Sequence, residues 1–388
     1  MLECSVAAGI MSVGVDVVTL GLCTTPSLSF LTKQLDCDYG VMITASHNPA
    51  QFNGIKIFDK NGFKLLNQQE EELKKIFVDI EKYLPTQNIG KHYIENERIY
   101  DYIDYVIDKF KSIPVKNLSI AVDCANGAGS HIIPYVFKNL FNNCTFFNTK
   151  TNGNDINGNC GSVDTNKFIS IVKNKFDVGF AFDGDADRLV VVLKDGQIID
   201  GETILYVFAR YLKDKNKLNS NQVATTTLTN FGIENSLNKL GINVLRTPVG
   251  DKNIQYEMNK KALNLGAEQS GHIILGDFNK TADGLVAALM FLQVFCELNY
   301  SLTGWLREIK KFQTQKIDVC VSDRQKNLFS AGELNGFVDQ IEEELGERGR
   351  VVVRPSGTES VIRILVEGND LELIQTIATR LKEKIEQL

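Results

Sequence analysis

The sequence YGVMITASHNPAQFNG, residues 39–54, joins an apolar run to a polar loop, and the fold prediction starts from it. The run YGVMI predicts a strand, and the loop after it carries hydroxyl, imidazole and amide side chains with a forced turn at Pro49. In open α/β sheets, ligands bind beyond the carboxyl ends of the strands. The stretch therefore predicts an α/β sheet with a ligand site at the end of this strand, where Ser46 lies.

Outward from this stretch, helical and strand patterns alternate along most of the chain. Three α/β units in series predict mostly parallel, doubly wound sheets. The tail changes to the order β-α-β-β-α, which predicts a small antiparallel α+β domain. The predicted organisation is three doubly wound α/β domains at residues 1–90, 91–198 and 199–310, followed by an α+β domain at residues 311–388.

The first α/β unit begins with the helical pattern ECSVAAGIMSVG at residues 3–14. No strand pattern precedes this helix to complete a βαβ unit. We therefore expect a truncated first domain: either Met1 is an internal start, or the protein lacks the opening strand of this domain.

Composition limits the function classes. The chain has 388 residues, a net charge of -6 and a pI near 5.5, which argue against a general polyanion binder, so we expect no nucleic-acid partner. Eight scattered cysteines without a CxxC pair indicate reduced thiols and a cytoplasmic location. The longest apolar run, residues 284–298, is too short to span a bilayer and predicts a buried helix, and Glu3 argues against a signal peptide.

The strongest chemical signal is DGDADR, residues 183–188. Asp183, Asp185 and Asp187 alternate along an extended loop and can converge on one side, where their repulsion calls for a hard divalent cation. Magnesium fits best, because the loop lacks the glycine, closing glutamate and flanking helices of an EF-hand. The alternative is a solvated acidic turn.

Ser46 is followed directly by His47, but neighbours on an extended segment point to opposite faces, so His47 is badly placed to take the serine proton. We predict instead that Ser46 carries a phosphoryl group. Its added negative charge would be held by the three aspartates through a shared metal ion. The alternative is a serine that only caps the turn TASHNP.

Two further loops carry polar groups suited to a sugar phosphate. In RPSGTES, residues 354–360, an arginine fork, two hydroxyls and a glycine predict an anion cradle, although PSG is also a good hairpin turn. The members of this cradle are Arg354, Ser356, Gly357 and Thr358.

In AEQSGH, residues 267–272, Glu268 and Ser270 alternate onto one side and could bind vicinal sugar hydroxyls, while His272 could lie near the reacting centre or be purely structural. Basic residues near these loops are by default solvated surface charges; they are Lys56, Arg188, Arg246 and Lys252.

Taken in order, TASHNPAQFNGIK, FDGDADR, AEQSGH and RPSGTE resemble the α-D-phosphohexomutase superfamily, over nearly the whole chain. The family's opening glycine-rich arginine loop has no counterpart here. The resemblance implies four domains around a central cleft and a phosphoserine at Ser46 that donates and retrieves a phosphoryl group. The other implied site residues are Asp183, Asp185 and Asp187 for Mg²⁺, Lys56, His272 and Arg188 for catalysis, Glu268 and Ser270 for sugar hydroxyls, and Arg354, Ser356, Gly357 and Thr358 for the non-reacting phosphate.

Within the superfamily, the resemblance is closest to bacterial enzymes that interconvert glucosamine 6-phosphate and glucosamine 1-phosphate. A hexosamine phosphate and its 1,6-bisphosphate are therefore the expected ligands. The alternatives are phosphoglucomutase or phosphomannomutase activity, a metal-dependent phosphatase, and a truncated sugar-phosphate binder with little activity. Oligomeric state does not follow from the sequence.

Overall fold

The computed structural model describes residues 1–79, 88–115, 117–356 and 359–388. Contacts along the chain divide it into two compact units. The first unit comprises Met1–Thr226 and Val244–Thr303, and the second comprises Thr227–Asn243 and Gly304–Leu388. The predicted domain boundaries at 90, 198 and 310 stay predictions.

The N-terminal part of the first unit contains two small sheets. Strand β1 pairs in parallel with β4, and β2 pairs antiparallel with β3. The β2–β3 pairing is antiparallel because the connection between Thr44 and Gly54 is too short for the crossover that parallel neighbours require. The elements are α1 (Leu2–Ser12), β1 (Val17–Thr19), α2 (Thr25–Gln34), β2 (Tyr39–Thr44), β3 (Gly54–Asp59), α3 (Asn67–Val78), β4 (His92–Ile94) and α4 (Ile99–Phe110).

The central part of the first unit is a five-stranded sheet. Its elements are β5 (Ile120–Asp123), α5 (Gly129–Leu140), β6 (Cys144–Phe147), α6 (Asn166–Val172), β7 (Val178–Phe182), β8 (Leu189–Leu193) and β9 (Ile198–Ile199). The strand order is β6-β5-β7-β8-β9, with β5, β6 and β7 parallel and the last two strands antiparallel. Phe180 and Phe182 are fully buried in β7. The acidic loop joins the end of β7 to β8, so it lies at the predicted ligand-binding edge.

The third set of elements begins with α7 and builds a four-stranded sheet of order β11-β10-β12-β13. β10 and β12 are parallel, and β13 is antiparallel to β12. The predicted buried helix is confirmed as α10, although no helix among the described residues is long and apolar enough to cross a membrane. The elements are α7 (Gly201–Asp214), β10 (Gln222–Thr226), α8 (Phe231–Lys239), β11 (Asn243–Thr247), α9 (Asp251–Lys260), β12 (Leu265–Ala267), β13 (Ile273–Leu275), α10 (Gly284–Glu297) and α11 (Thr303–Glu308).

The tail is an antiparallel sheet covered by helices, as predicted. Strand β16 is central, in the order β14-β16-β15, and both pairings are antiparallel. Buried aliphatic side chains such as Ile364, Ile377 and Leu381 form its core. The elements are β14 (Gln313–Cys320), α12 (Asp323–Ser330), α13 (Asn335–Leu345), β15 (Gly349–Pro355), β16 (Val361–Gly368) and α14 (Leu371–Glu386).

Candidate active site

The three aspartates of the acidic loop converge in the first unit. Asp183, Asp185 and Asp187 are fully buried, and one oxygen of each lies within 4.8 Å of the others. Ala186 between them has a left-handed φ of 57°, which turns the loop back on itself. Among the described residues, Asp183 Oδ2 and Asp185 Oδ1 are buried without a hydrogen-bond partner. Buried, unpaired carboxylate oxygens in one cluster fit a hard divalent cation, which supplies the missing partner.

Lysine side chains neutralise part of this charge. Lys56, on β3, places Nζ 2.5 Å from Asp185 Oδ2 and 2.9 Å from Asp187 Oδ2. Burial alone would lower the pKa of Lys56, but the carboxylates of Asp187 and Asp185 outweigh it and raise the pKa above its ordinary value. Lys56 is therefore a charged group of the site rather than a solvated surface lysine.

The pKa values of two aspartates in the loop shift in opposite directions. Burial raises the pKa of Asp183 well above its ordinary value, and the charges of Asp185 and Asp187 add to this effect. Burial would also raise the pKa of Asp187, but the positive charges of Lys56 and His272 hold this pKa well below its usual range. A proton on Asp183 competes with a cation, because a metal ligand must be deprotonated.

Ser46 lies in a strained turn against the acidic loop. Its φ is 54°, a left-handed value that is uncommon for serine, and its backbone N–H donates to Thr44 Oγ1 at 2.7 Å. A Cβ on Gly184 would stand only 2.5 Å from the Ser46 carbonyl oxygen, so the close approach of the two loops requires glycine there. The structure thus brings the predicted phosphoserine loop into contact with the predicted metal loop.

The AEQSGH turn between β12 and β13 supplies the next group. His272 Nδ1 lies 2.8 Å from Glu268 Oε2, and Nε2 lies 3.1 Å from Asp187 Oδ1. Ser270 Oγ donates to Glu268 Oε2 at 3.0 Å. Burial would lower the pKa of His272, but Asp187 and Asp251 outweigh it and raise the pKa to about 10. Each ring nitrogen of His272 thus faces a carboxylate, and these carboxylates favour the charged form of the ring.

Arg188 follows the acidic loop and reaches several partners. Its backbone forms an isolated bridge with His272, and its Nε lies 3.8 Å from Asp183 Oδ2. Its Nη2 lies 3.1 Å from His47 Nδ1. Burial lowers the pKa of His47, and the positive charge of Arg188 lowers it further. His47 is thus engaged with Arg188, as expected if it is not the base for Ser46.

The phosphate-cradle residues belong to the second compact unit. Arg354 lies on β15 opposite Arg363 of β16. The buried Ser356 accepts a hydrogen bond at Oγ from the Glu359 backbone N–H at 3.2 Å. Gly357 and Thr358, also predicted for this cradle, lie outside the described residues.

Sequence reasoning missed several residues of the site. Lys64 lies 2.5 Å from Asp251 and 3.7 Å from Asp187, and Thr25 Oγ1 donates to Asp185 Oδ2 at 2.6 Å. Asn157 bonds the Ser46 loop. Asp251 lies in RTPVGDK, residues 246–252, a stretch that also resembles the superfamily, whereas Lys64 and Thr25 carry no local pattern.

Domain families cover the chain in order. The phosphoglucomutase/phosphomannomutase alpha/beta/alpha domains I, II and III match residues 1–84, 100–196 and 200–312. The C-terminal domain of the same family matches residues 317–384. Together they place four family domains in series.

Similar proteins agree with these matches. The phosphoglucosamine mutase of Clostridium acetobutylicum is 39% identical over 392 residues, covering 100% of this chain and 87% of the relative. That of Shouchella clausii is 38% identical with the same coverage.

Solved structures show the same fold. A phosphoglucomutase/phosphomannomutase family protein from Burkholderia thailandensis has a TM-score of 0.82 at 21% identity, covering 100% of this chain and 86% of its own. Aspergillus fumigatus N-acetylphosphoglucosamine mutase, in complex with GlcNAc-6P and magnesium, has a TM-score of 0.69 at 18% identity, covering 92% and 91%. With four matching domains and relatives near 38% identity over its whole length, this chain belongs to the phosphoglucomutase/phosphomannomutase family of the α-D-phosphohexomutase superfamily.

Proposed function

We propose that this chain is a phosphoglucosamine mutase, which interconverts glucosamine 6-phosphate and glucosamine 1-phosphate through a phosphoserine at Ser46 and a 1,6-bisphosphate intermediate. The observation that carries the proposal is the contact between the strained Ser46 loop and the buried aspartate cluster. We infer the substrate from relatives that align over the whole chain and are phosphoglucosamine mutases. The reaction would supply an amino-sugar 1-phosphate for cell-wall precursor synthesis in the cytoplasm.

Charge explains why Ser46 stands beside the aspartates. A phosphoserine brings nearly two negative charges, which would be repelled by three carboxylates without a cation. Asp183, Asp185 and Asp187 would hold Mg²⁺ here, since two of their buried oxygens have no hydrogen-bond partner among the described residues. When bound, Mg²⁺ neutralises charge on the seryl phosphate. Arg188 and Lys56 add positive charge at the same place.

Proton transfer must accompany each phosphoryl transfer. The Oγ–P bond of phosphoserine breaks, a bond forms between the sugar oxygen and phosphorus, the sugar hydroxyl loses its proton and Ser46 gains one. Lys56 and His272 both have raised pKa values, so both hold protons at neutral pH. We assign one of these two groups to give its proton to Ser46 Oγ as the Oγ–P bond breaks, after which the neutral side chain takes up the proton of the sugar hydroxyl.

Sugar and phosphate recognition would use two of the predicted loops. Glu268 and Ser270 present a carboxylate and a hydroxyl suited to vicinal sugar hydroxyls. The loop that begins at Arg354 and Ser356, with Gly357 and Thr358, would hold whichever phosphate is not reacting. Because the bisphosphate must present each end to Ser46 in turn, one phosphate cradle can serve both orientations.

Intact-mass measurement of the purified protein tests the phosphoserine directly. Incubation with glucose 1,6-bisphosphate should add one phosphoryl mass to the wild type and none to Ser46→Ala, and the mutant should lose turnover. Wild-type turnover without any phosphoryl mass, or full activity of Ser46→Ala, would refute the mechanism.

Substrate preference needs a separate measurement. Turnover on the 6-phosphates of glucosamine, glucose and mannose should give the highest kcat/KM for glucosamine 6-phosphate. A preference for glucose or mannose would instead indicate phosphoglucomutase or phosphomannomutase activity. Stoichiometric release of inorganic phosphate would indicate a phosphatase, and sugar-phosphate binding without turnover would indicate a binder.

A further inference from the structure

Asn157, in the loop between β6 and α6, holds the Ser46 loop through its side-chain amide. Its side chain is buried, and its Nδ2 donates to the Ser46 carbonyl oxygen at 2.7 Å and to the Asn48 carbonyl oxygen at 2.9 Å. These two bonds hold the Ser46–His47 and Asn48–Pro49 peptides of the loop. The amide orientation is determined, because a flipped side chain would point Oδ1 at two carbonyl oxygens.

The support behind Asn157 is itself firmly placed. Its backbone N–H donates to the Ala125 carbonyl oxygen at 2.9 Å, and the Ala125 N–H donates to the buried Asp123 carboxylate at 3.0 Å. This chain of bonds leads back to the end of β5, an inner strand of the five-stranded sheet whose residues are all buried. Asn157 is thus anchored to a buried strand of the first unit.

The same loop also supports the acidic loop. The side chain of Ile156 packs so closely on Gly184 that a Cβ there would stand 2.7 Å from its Cδ1. One short segment therefore contacts the Ser46 loop through Asn157 and the aspartate loop through Ile156. It therefore touches both loops at the place where they meet.

Ser46 needs such a support. A left-handed φ at a residue other than glycine costs about 1–3 kcal/mol and persists only when the surroundings determine it. Phosphoryl transfer also depends on alignment, and a misplacement of about 1 Å can cost roughly 100-fold in rate. Asn157 supplies two hydrogen bonds of ordinary length to this loop, one of them to the carbonyl oxygen of Ser46 itself.

We propose that Asn157 is a positioning residue for phosphoryl transfer: its side-chain amide holds Ser46 in its strained conformation against the aspartate loop. This inference rests on the proposed function, in which Ser46 carries the phosphoryl group. Asn157 touches neither the aspartate oxygens nor the AEQSGH turn in any described contact, so its removal should affect the alignment of Ser46 rather than metal or sugar binding.

Two variants separate the side-chain bonds from the backbone conformation. Asn157 has a φ of 57°, which glycine and aspartate also tolerate. Asn157→Asp keeps the size but replaces the donor with an acceptor facing two carbonyls, and Asn157→Gly removes the side chain. The matched control is Asn159→Asp, because Asn159 lies in the same loop, is exposed and has a φ of 52°.

Hydrogen–deuterium exchange on the full-length protein with Mg²⁺ tests the structural half without any turnover. Amides of residues 44–50 should exchange faster in Asn157→Asp and Asn157→Gly than in the wild type, and at wild-type rates in Asn159→Asp. Unchanged exchange in both Asn157 variants would overturn the inference. This readout stands even if the wild type proves inactive on every sugar phosphate, a result that would refute the proposed function alone.

Steady-state kinetics tests the catalytic half. We expect kcat to fall by roughly 100-fold in both Asn157 variants, with KM and Mg²⁺ affinity close to wild type and Asn159→Asp unchanged. A kcat at the wild-type level would overturn the inference. So would a parallel loss of Mg²⁺ affinity, because that result would assign Asn157 to the integrity of the metal site instead.

Discussion

Lys64 Nζ lies 2.5 Å from Asp251 Oδ2, and both side chains are largely buried, with 11% and 13% of their surfaces exposed. Lys64 follows β3, and Asp251 begins α9. The lysine also lies 3.7 Å from Asp187, a member of the aspartate cluster. Lys64 holds the pKa of Asp251 at about 2 against the opposing effect of burial. One lysine thus joins residues from three of the four family domains.

The first prediction concerns this ion pair. Lys64→Met should lower the free energy of unfolding by about 3–5 kcal/mol, because it leaves the buried Asp251 carboxylate without its counter-ion. The double variant Lys64→Met, Asp251→Asn should recover most of the loss, since neither charge then remains. Urea denaturation of the four proteins of this cycle measures the coupling. If Lys64→Met and the double variant were equally stable, the ion pair between Lys64 and Asp251 would be contradicted.

The residues that sequence reasoning found and missed differ in a physical way. The aspartates of DGDADR and the residues of AEQSGH lie two to five positions apart, so a local pattern reveals them. Lys64 and Asp251 are 187 positions apart, and Asn157 and Ser46 are 111 apart. Nothing in either local stretch specifies such a partner, because the fold alone brings them together.

The fold shows the same division. Helices and strands follow local periodicity, and the antiparallel tail was predicted correctly from element order. The grouping of α8 with the tail was not predicted, because it depends on side chains from separate segments. Periodicity gives each element its buried face, but it does not choose which neighbour covers that face.

The second prediction concerns the metal. Mg²⁺ should raise the thermal unfolding midpoint of the wild type, because binding only to the folded state stabilises it by mass action and relieves carboxylate repulsion. Asp185→Asn should weaken this shift by removing one charged ligand from the cluster. Asp195→Asn, at an exposed turn after β8, is the matched control and should respond like the wild type. Equal Mg²⁺ shifts in all three proteins would rule out the site.

The third prediction is a pH dependence in metal-free protein. The pKa of His272 is raised from 6.5 to about 10 in the folded state, so its stabilising contribution is complete below pH 6.5 and is lost as pH rises towards 10. The free energy of unfolding should therefore fall across this range, by up to about 1.4 kcal/mol per pH unit from this group.

The variant His272→Gln should flatten this slope and be less stable than the wild type at pH 6.5. Denaturation in EDTA at several pH values measures both effects. His131→Gln, on the exposed side of α5, should keep the wild-type slope. A slope that survives in His272→Gln would show that another group titrates.

The fourth prediction concerns the attachment of α8 to the tail within the second compact unit. Arg350 Nη2 lies 2.7 Å from the buried Glu367 Oε2 and also donates to the Thr229 carbonyl oxygen at 2.9 Å. The Phe231 N–H, at the start of α8, donates to Glu367 Oε2 at 3.0 Å.

Arg350→Met should lower the free energy of unfolding by about 3–5 kcal/mol, because Glu367 stays buried without its arginine. Hydrogen exchange should then accelerate in α8 together with β15 and β16. Arg348→Met, at an exposed arginine whose side chain donates to the Glu344 carbonyl, should leave α8 unchanged. Accelerated exchange in the strands with a fully protected α8 would show that the helix is held by other contacts.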